Sequence, residues 1–178
     1  MSEWSANNRS PIVIDDDAEL AALIGLAGLP KLTPSRFWSL IEAGSPATIW
    51  NRVAAGAAPR HGRDLDSANA WPAWCRQVDP AAELERHRQR GTAVLPFGHT
   101  DYPDALRDDP DPPPVVFRQG PERLDDRARV AIVGTRKCTG YGTDVARQLG
   151  AALAERGVDV VSGLASGIDA AAHAGAIS

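Results

Sequence analysis

Two glycine-bearing stretches hold the residues best suited to chemistry. The first is Gly134-Thr135-Arg136-Lys137-Cys138-Thr139-Gly140-Tyr141-Gly142, and the second is Ser162-Gly163-Leu164-Ala165-Ser166-Gly167. Glycine lets backbone approach a ligand closely, and a loop that opens a helix aims unpaired N–H groups at anions. Thr135 and Ser162 add hydroxyls, Arg136 adds a planar forked donor that matches a phosphate, and Lys137 adds a second cation. The chemistry this suggests is phosphate binding, through Gly134, Thr135, Arg136, Lys137, Gly142, Ser162, Gly163 and Gly167. The glycine spacing of the first loop is G-x5-G-x-G, not the G-x-G-x-x-G of dinucleotide folds, and no G-K-[ST] ends it as in a P-loop. The second loop begins at Ser162 with no acid to hold a ribose, which argues against NAD. No catalytic residue and no cofactor is expected.

Charge sharpens that reading. The chain of 178 residues has a formal net charge of −4, which excludes a globally basic coat for nucleic acid. Residues 127–137 nevertheless carry Arg127, Arg129, Arg136 and Lys137 with no acid. This places the basic density at the mouth of the first loop.

Other reactive side chains are less informative. Asp169 and His173 are four residues apart and share one helix face, where a local hydrogen bond or loop brace is expected rather than acid–base or metal chemistry. His61, His87 and His99 show no partner spacing and are expected at the surface. Cys138 follows two cations, but no reactive role is assigned to it. With Cys75 the only other cysteine, a disulfide scaffold and a four-cysteine zinc site are excluded, and the chain is expected in a reducing cytoplasm. The five tryptophans fall mostly at helical spacing and are assigned to core packing. Hydrophobic residues make up 43% and charged residues 24%, an ordinary globular balance. No apolar run reaches the ~20 residues of a membrane span, and the N-terminus lacks the pattern of a secretory signal.

The elements that must position the loops follow from periodicity. Residues 1–14 read as a polar flexible tail, and Asp15-Asp16-Asp17 suits a helix N-terminus. Leu20, Leu23, Ile24 and Ala27 mark one face of a helix over 18–29. Thr33-Pro34 caps a second helix buried through Phe37, Trp38, Leu40 and Ile41, and a third begins at Ala47. A loop is expected at 58–65. A helix over 66–90 has Trp71, Trp74 and Val78 inward and Arg86, Arg88 and Arg90 outward. This makes a helical module at 15–88.

From Gly91 the pattern turns to short apolar runs, Thr92–Pro96 and Val115–Phe117, separated by a proline- and aspartate-rich loop. Val130–Val133 and Val158–Val161 are strands around an amphipathic helix over 143–156 with Val145, Leu149, Ala152 and Leu153 on one face. A helix over 168–177 closes the series. Strand–helix–strand at this spacing is a right-handed βαβ unit of a parallel sheet. The expected class is α/β: an all-helical N-terminal module, then a Rossmann-like parallel sheet over 91–178 to which about four strands contribute. The two glycine loops sit beyond the carboxyl ends of the strands, where such sheets bind ligands.

VAIVGTRKCTGYG, followed by VVSGLASGIDAAAHAGAI, resembles the DprA/Smf family of DNA-processing proteins. The upstream YPDALRDDPDPPPVVFRQG resembles the same family's Tyr-Pro…Asp-x-Pro-Pro…Gly segment, and the helical module occupies the place of its N-terminal domain. Asp109 departs from the family's apolar preference, and Gly28-Leu29-Pro30 does not reproduce a helix-hairpin-helix turn. The resemblance implies single-stranded DNA binding in DNA recombination and natural transformation (competence), support of RecA loading, and a homodimer, with no metal or cofactor. It also implies that the family's further strands, a further basic DNA contact and most dimer and RecA contacts lie beyond Ser178, so that the chain is expected to be an N-terminal fragment or a truncated gene product. The alternative is an enzyme of the lysine-decarboxylase-like group, a nucleoside monophosphate phosphoribohydrolase, which shares a Gly-Ser-Arg loop and a glycine-rich second loop.

Overall fold

The computed structural model describes residues 9–58, 65–120 and 127–178. The expected tail and the loop at 58–65 therefore lie partly outside the described residues, as does His61. The chain divides into two compact units, Met1–Arg123 and Leu124–Ser178.

The first unit is built on α1 (Asp17–Ala27). Asp16 caps it, its side chain accepting the Glu19 N–H at 2.9 Å, and Asp17 and Glu19 complement the helix dipole. Periodicity suggests one buried face, but Ala21 through Leu26 are all buried. The reason is that α1 is apolar all round, which is the pattern of a central helix enclosed by neighbours. Around it lie α2 (Pro34–Ile41), α3 (Pro46–Ala54), α4 (Leu65–Gln77) and α5 (Pro80–Gln89). Thr33-Pro34, Ser45-Pro46 and Asp79-Pro80 each pair a capping side chain with a proline that needs no N–H partner. The last of these corrects the single helix expected over 66–90. Asp79 accepts from the Ala81 and Ala82 N–H groups and Pro80 cannot continue a helix, so the segment breaks into two. Trp71 is buried and donates Nε1–H to the Pro30 carbonyl at 3.0 Å, while Trp74 donates to the Gly25 carbonyl at 3.3 Å.

Strands β1 (Thr92–Pro96) and β2 (Val115–Gln119) pair antiparallel, with Val94 opposite Phe117 and Pro96 opposite Val115. They form a sheet of their own inside the first unit, not two strands of one four-stranded sheet. The cause is that Val115 and Val94 join the helical core and Leu95 joins Trp38, Phe97 and Tyr102. The proline-rich loop between them, which carries the short helix α6 (Asp104–Arg107), is held by two buried donors. Tyr102 Oη donates to the Pro113 carbonyl and Trp38 Nε1 to the Pro112 carbonyl, both at 2.7 Å. Phe97 lies edge-on to both rings, at 5.2 Å from Trp38 and 5.4 Å from Tyr102. Residues 9–14, expected within the flexible tail, are docked here. The Ile12 N–H donates to the Phe97 carbonyl at 2.9 Å, and Arg9 pairs with Glu42 over the face of Trp38.

The second unit is the βαβ unit. Strands β3 (Arg129–Ala131) and β4 (Asp159–Val161) pair in parallel, with Val130 opposite Val160, and are connected by α7 (Gly140–Ala154). Helix α8 (Ile168–Ile177) follows β4 and packs on α7. The apolar face of α7 is split: Ala152 and Leu153 are half-buried. Val145 and Leu149 are 44% and 46% exposed, and the buried side is Ala146 and Gly150. Glycine sets this contact. A Cβ on Gly150 would lie 2.2 Å from the Ala172 oxygen, and one on Gly175 would lie 1.9 Å from the Arg147 oxygen. The helices meet backbone to backbone, so the small-residue stripe, not the bulky one, is interior.

Candidate nucleic-acid interface

The first loop leaves β3 at Ile132 and enters α7 at Gly140. Thr139 is the helix N-cap, its Oγ1 accepting the Gly142 N–H at 3.1 Å. The second loop leaves β4 and enters α8 through Gly167, whose φ of 92° and ψ of −128° suit glycine alone. Both loops thus stand at the carboxyl ends of adjacent parallel strands, as their spacing predicts.

Asp169 joins the two loops. This residue, in the first turn of α8, is 6% exposed. Its Oδ1 accepts the Gly134 N–H at 3.2 Å from one loop and its Oδ2 accepts the Gly163 N–H at 3.1 Å from the other. Burial pushes its pKa up, but hydrogen bonds from Gly134, Ser162, Gly163 and Ala165 outweigh that and hold the carboxyl below its ordinary value. Of these, the Ser162 hydroxyl has one proton, and its close contact is the Ile132 carbonyl at 2.6 Å, so the backbone amides carry the effect. The expectation of a loop brace at Asp169 is met by a single carboxylate that ties both loops together. His173 Nε2 lies 3.5 Å from the Ser162 carbonyl on the same side of the helix.

Backbone packing completes the clasp. A Cβ on Gly167 would fall 2.4 Å from the Thr135 oxygen, and one on Gly134 would fall 2.7 Å from Ile168 Cβ. The Ile168 N–H donates to the Thr135 carbonyl at 3.3 Å. Thr135 Oγ1 accepts the Lys137 N–H at 3.2 Å, and Cys138 Sγ lies 3.2 Å from Thr143 Oγ1.

The structure brings all eight residues expected at the phosphate site into these two loops and the start of α7. The amides of Gly134, Gly142 and Gly163 and the hydroxyls of Thr135 and Ser162 bond within the protein, and Gly167 supplies close packing. The side chains of Arg136 and Lys137 are exposed, with no carboxylate paired to either among the described residues. Tyr141, one residue into α7, is 80% exposed.

The basic run of 127–137 is not one patch. Arg127 and Arg129 precede or begin β3, roughly 23 and 16 Å of extended chain from Gly134 at ~3.3 Å per residue. Arg127 faces Asp159 at 3.6 Å. Only Arg136 and Lys137 stand at the loop mouth. Sequence distance hid this, because a strand carries its two ends to opposite edges of a sheet.

Among the described residues no group of three or more His, Cys, Asp or Glu side chains could hold a metal ion, and no helix is long and apolar enough to cross a membrane. In the first unit, His87 stacks on Phe117 at 4.8 Å and His99 Nδ1 accepts the Asp101 N–H at 3.0 Å.

A parallel βαβ unit with two clasped loops at its carboxyl edge defines a Rossmann-like fold of the α/β class. Residues 93–178 match the family model of DNA recombination-mediator protein A. The chain is 42% identical over 102 residues to Protein Smf of Synechocystis, a match covering 54% of this chain and 25% of that protein. It is 40% identical over 95 residues to DNA processing protein DprA of Bacillus subtilis, covering 53% and 32% respectively. The X-ray structure of DprA from Streptococcus pneumoniae superposes with a TM-score of 0.55 at 25% identity, covering 93% of this chain and 55% of that one. Over residues 93–178 the chain is similar to the DprA/Smf family. It matches about a quarter to a third of the length of these curated relatives.

Proposed function

We propose that this chain carries a single-stranded DNA-binding site of a DNA-processing protein, at the loops following β3 and β4. The observation that carries the proposal is the pair Arg136 and Lys137. Both are exposed and unpaired with any carboxylate, on a loop rigidly clasped at the carboxyl edge of a parallel sheet, in a protein of net charge −4. Rigid presentation matters because a charge-assisted contact to phosphate is not offset by the cost of ordering the loop. In this reading Gly134, Thr135, Gly142, Ser162, Gly163 and Gly167 shape and hold the loops, and the two cations meet the backbone. In the whole protein this site serves DNA recombination and natural transformation in the cytoplasm, supports loading of RecA, and works as a homodimer without a cofactor.

Binding is favoured over phosphoribohydrolase chemistry. Asp169 is the carboxylate within the clasped loops, and it is buried under backbone N–H groups that hold it ionised. A general acid or base must reach the reacting atom.

Titration of labelled oligo-dT at rising salt tests the proposal. Two phosphate contacts on a single strand give a slope of log K against log salt near −1.4. Arg136→Ala should weaken binding by roughly 1–3 kcal/mol. Arg86→Ala should change nothing, since Arg86 is paired with Glu83 on α5. Equal binding by the two variants refutes the site. Release of free base from AMP above a buffer blank would favour the enzyme instead.

A further inference from the structure

We propose that Tyr141 is a base-stacking platform, and that it makes this site select unpaired strands over duplex. The inference rests on the reading of Arg136 and Lys137 as phosphate contacts and adds what meets the base. Tyr141 is the sole aromatic residue after position 124. Its unit is built from Ala, Gly and Val, and a large ring would be the natural filler for such a core. Instead the ring is 80% exposed, and its hydroxyl has no hydrogen-bond partner among the described residues. It contributes little to the fold.

Its neighbours leave the ring clear. Tyr141 is flanked by Gly140 and Gly142, which have no side chains to cover it. A Cβ at Gly140 would meet nothing within 4 Å. Arg136 and Lys137 precede it by five and four residues, across the Thr139 cap that fixes the start of α7. A flat, uncovered ring held on a rigid helix start that follows two exposed cations, neither paired with a carboxylate, is the composition of a single-strand site. The cations take the backbone and the ring takes a base face. Charge complementarity favours a polyanion, with Asp144, one turn further on, the nearby opposing charge. A duplex base has both faces covered by its neighbours in the stack, so the ring can be used only where bases are already unstacked.

The test uses the full chain and three probes of equal length: oligo-dT, an abasic oligomer and a blunt duplex. Wild type is expected to bind oligo-dT more tightly than the abasic strand or the duplex. Tyr141→Ala should lower oligo-dT affinity by about 5- to 150-fold, the equivalent of one lost stack, and leave abasic binding unchanged. Tyr141→Phe should keep the preference, since the ring and not the hydroxyl carries it. Arg136→Ala should weaken all three probes alike. If wild type binds oligo-dT and the abasic strand equally, or Tyr141→Ala keeps the preference, the stacking role is overturned while the phosphate site stands. If Arg136→Ala leaves every probe unaffected, the phosphate reading fails as well. Circular dichroism should show both Tyr141 variants folded.

Discussion

Replacing Gly167 with alanine should unfasten the two loops. Gly167 sits at φ 92° and ψ −128°, a conformation that costs a non-glycine residue roughly 1–3 kcal/mol. The new Cβ would lie 2.4 Å from the Thr135 oxygen and 2.8 Å from the Arg136 oxygen. Ordinary contact begins near 3.4 Å, so the first loop must retreat by about 1 Å. It cannot do so freely, because the Thr135 carbonyl accepts the Ile168 N–H and the Gly134 N–H is held by Asp169. Overpacking of this kind adds roughly 1–3 kcal/mol. The sum, about 2–6 kcal/mol, falls on a unit, Leu124–Ser178, whose own stability at 0.05–0.15 kcal/mol per residue is about 3–8 kcal/mol. Hydrogen exchange of peptides from 127–178 should accelerate by roughly 30-fold or more. Tryptophan fluorescence should not move, since every tryptophan precedes residue 124. Gly140→Ala is the control, because its Cβ would enter open space. DNA binding should fall with the loss of structure in Gly167→Ala, whereas Arg136→Ala should lose binding with protection intact. If Gly167→Ala exchanges as slowly as Gly140→Ala, the clasp is not what holds the loops.

Three further outcomes are expected. Asp169 titrates below its ordinary 3.8 in the folded chain, so its clasp is fully formed above that value and is lost as pH falls through the folded pKa; Asp169→Asn should remove that acid dependence from exchange in 132–137, and an unchanged acid profile would refute it. Tyr102, pushed up to about 12 chiefly by burial, prefers to stay neutral when folded, so stability present below about pH 10 should fall as pH rises from 10 towards 12; Tyr102→Phe should lose about 1 kcal/mol at neutral pH with its bond to the Pro113 carbonyl and flatten that alkaline limb in urea titrations. Lys31 and Leu164 hold positive φ values of 56° and 54° while exposed, so glycine at either should raise stability by about 0.5–1 kcal/mol in the same titrations, and a loss would show that the side chain packs.

Local rules were enough for much of this protein. Thr33-Pro34 marked the start of α2 because capping and a fixed φ act within a few residues, and the helix begins there. Glycine after a strand and before a helix located both loops, because close approach and helix entry are also local demands. The strand–helix–strand spacing indicated a parallel unit, since a right-handed crossover needs that length of chain. What the sequence could not supply was which surfaces meet. Two apolar runs after Gly91 looked like members of the later sheet. Tertiary packing instead gave them their own antiparallel pair, because Val115 and Leu95 find partners among the helices and the Trp38–Tyr102 cluster. Val145 and Leu149 looked interior by type, yet glycine on α7 and α8 lets the backbones touch and turns those side chains outward. Asp169 had helical spacing to His173 and nothing in the sequence to connect it with Gly134, thirty-five residues away. Only the fold brings that carboxylate between two loops, where it accepts an amide N–H from each, while Arg136, Lys137 and Tyr141 face solvent.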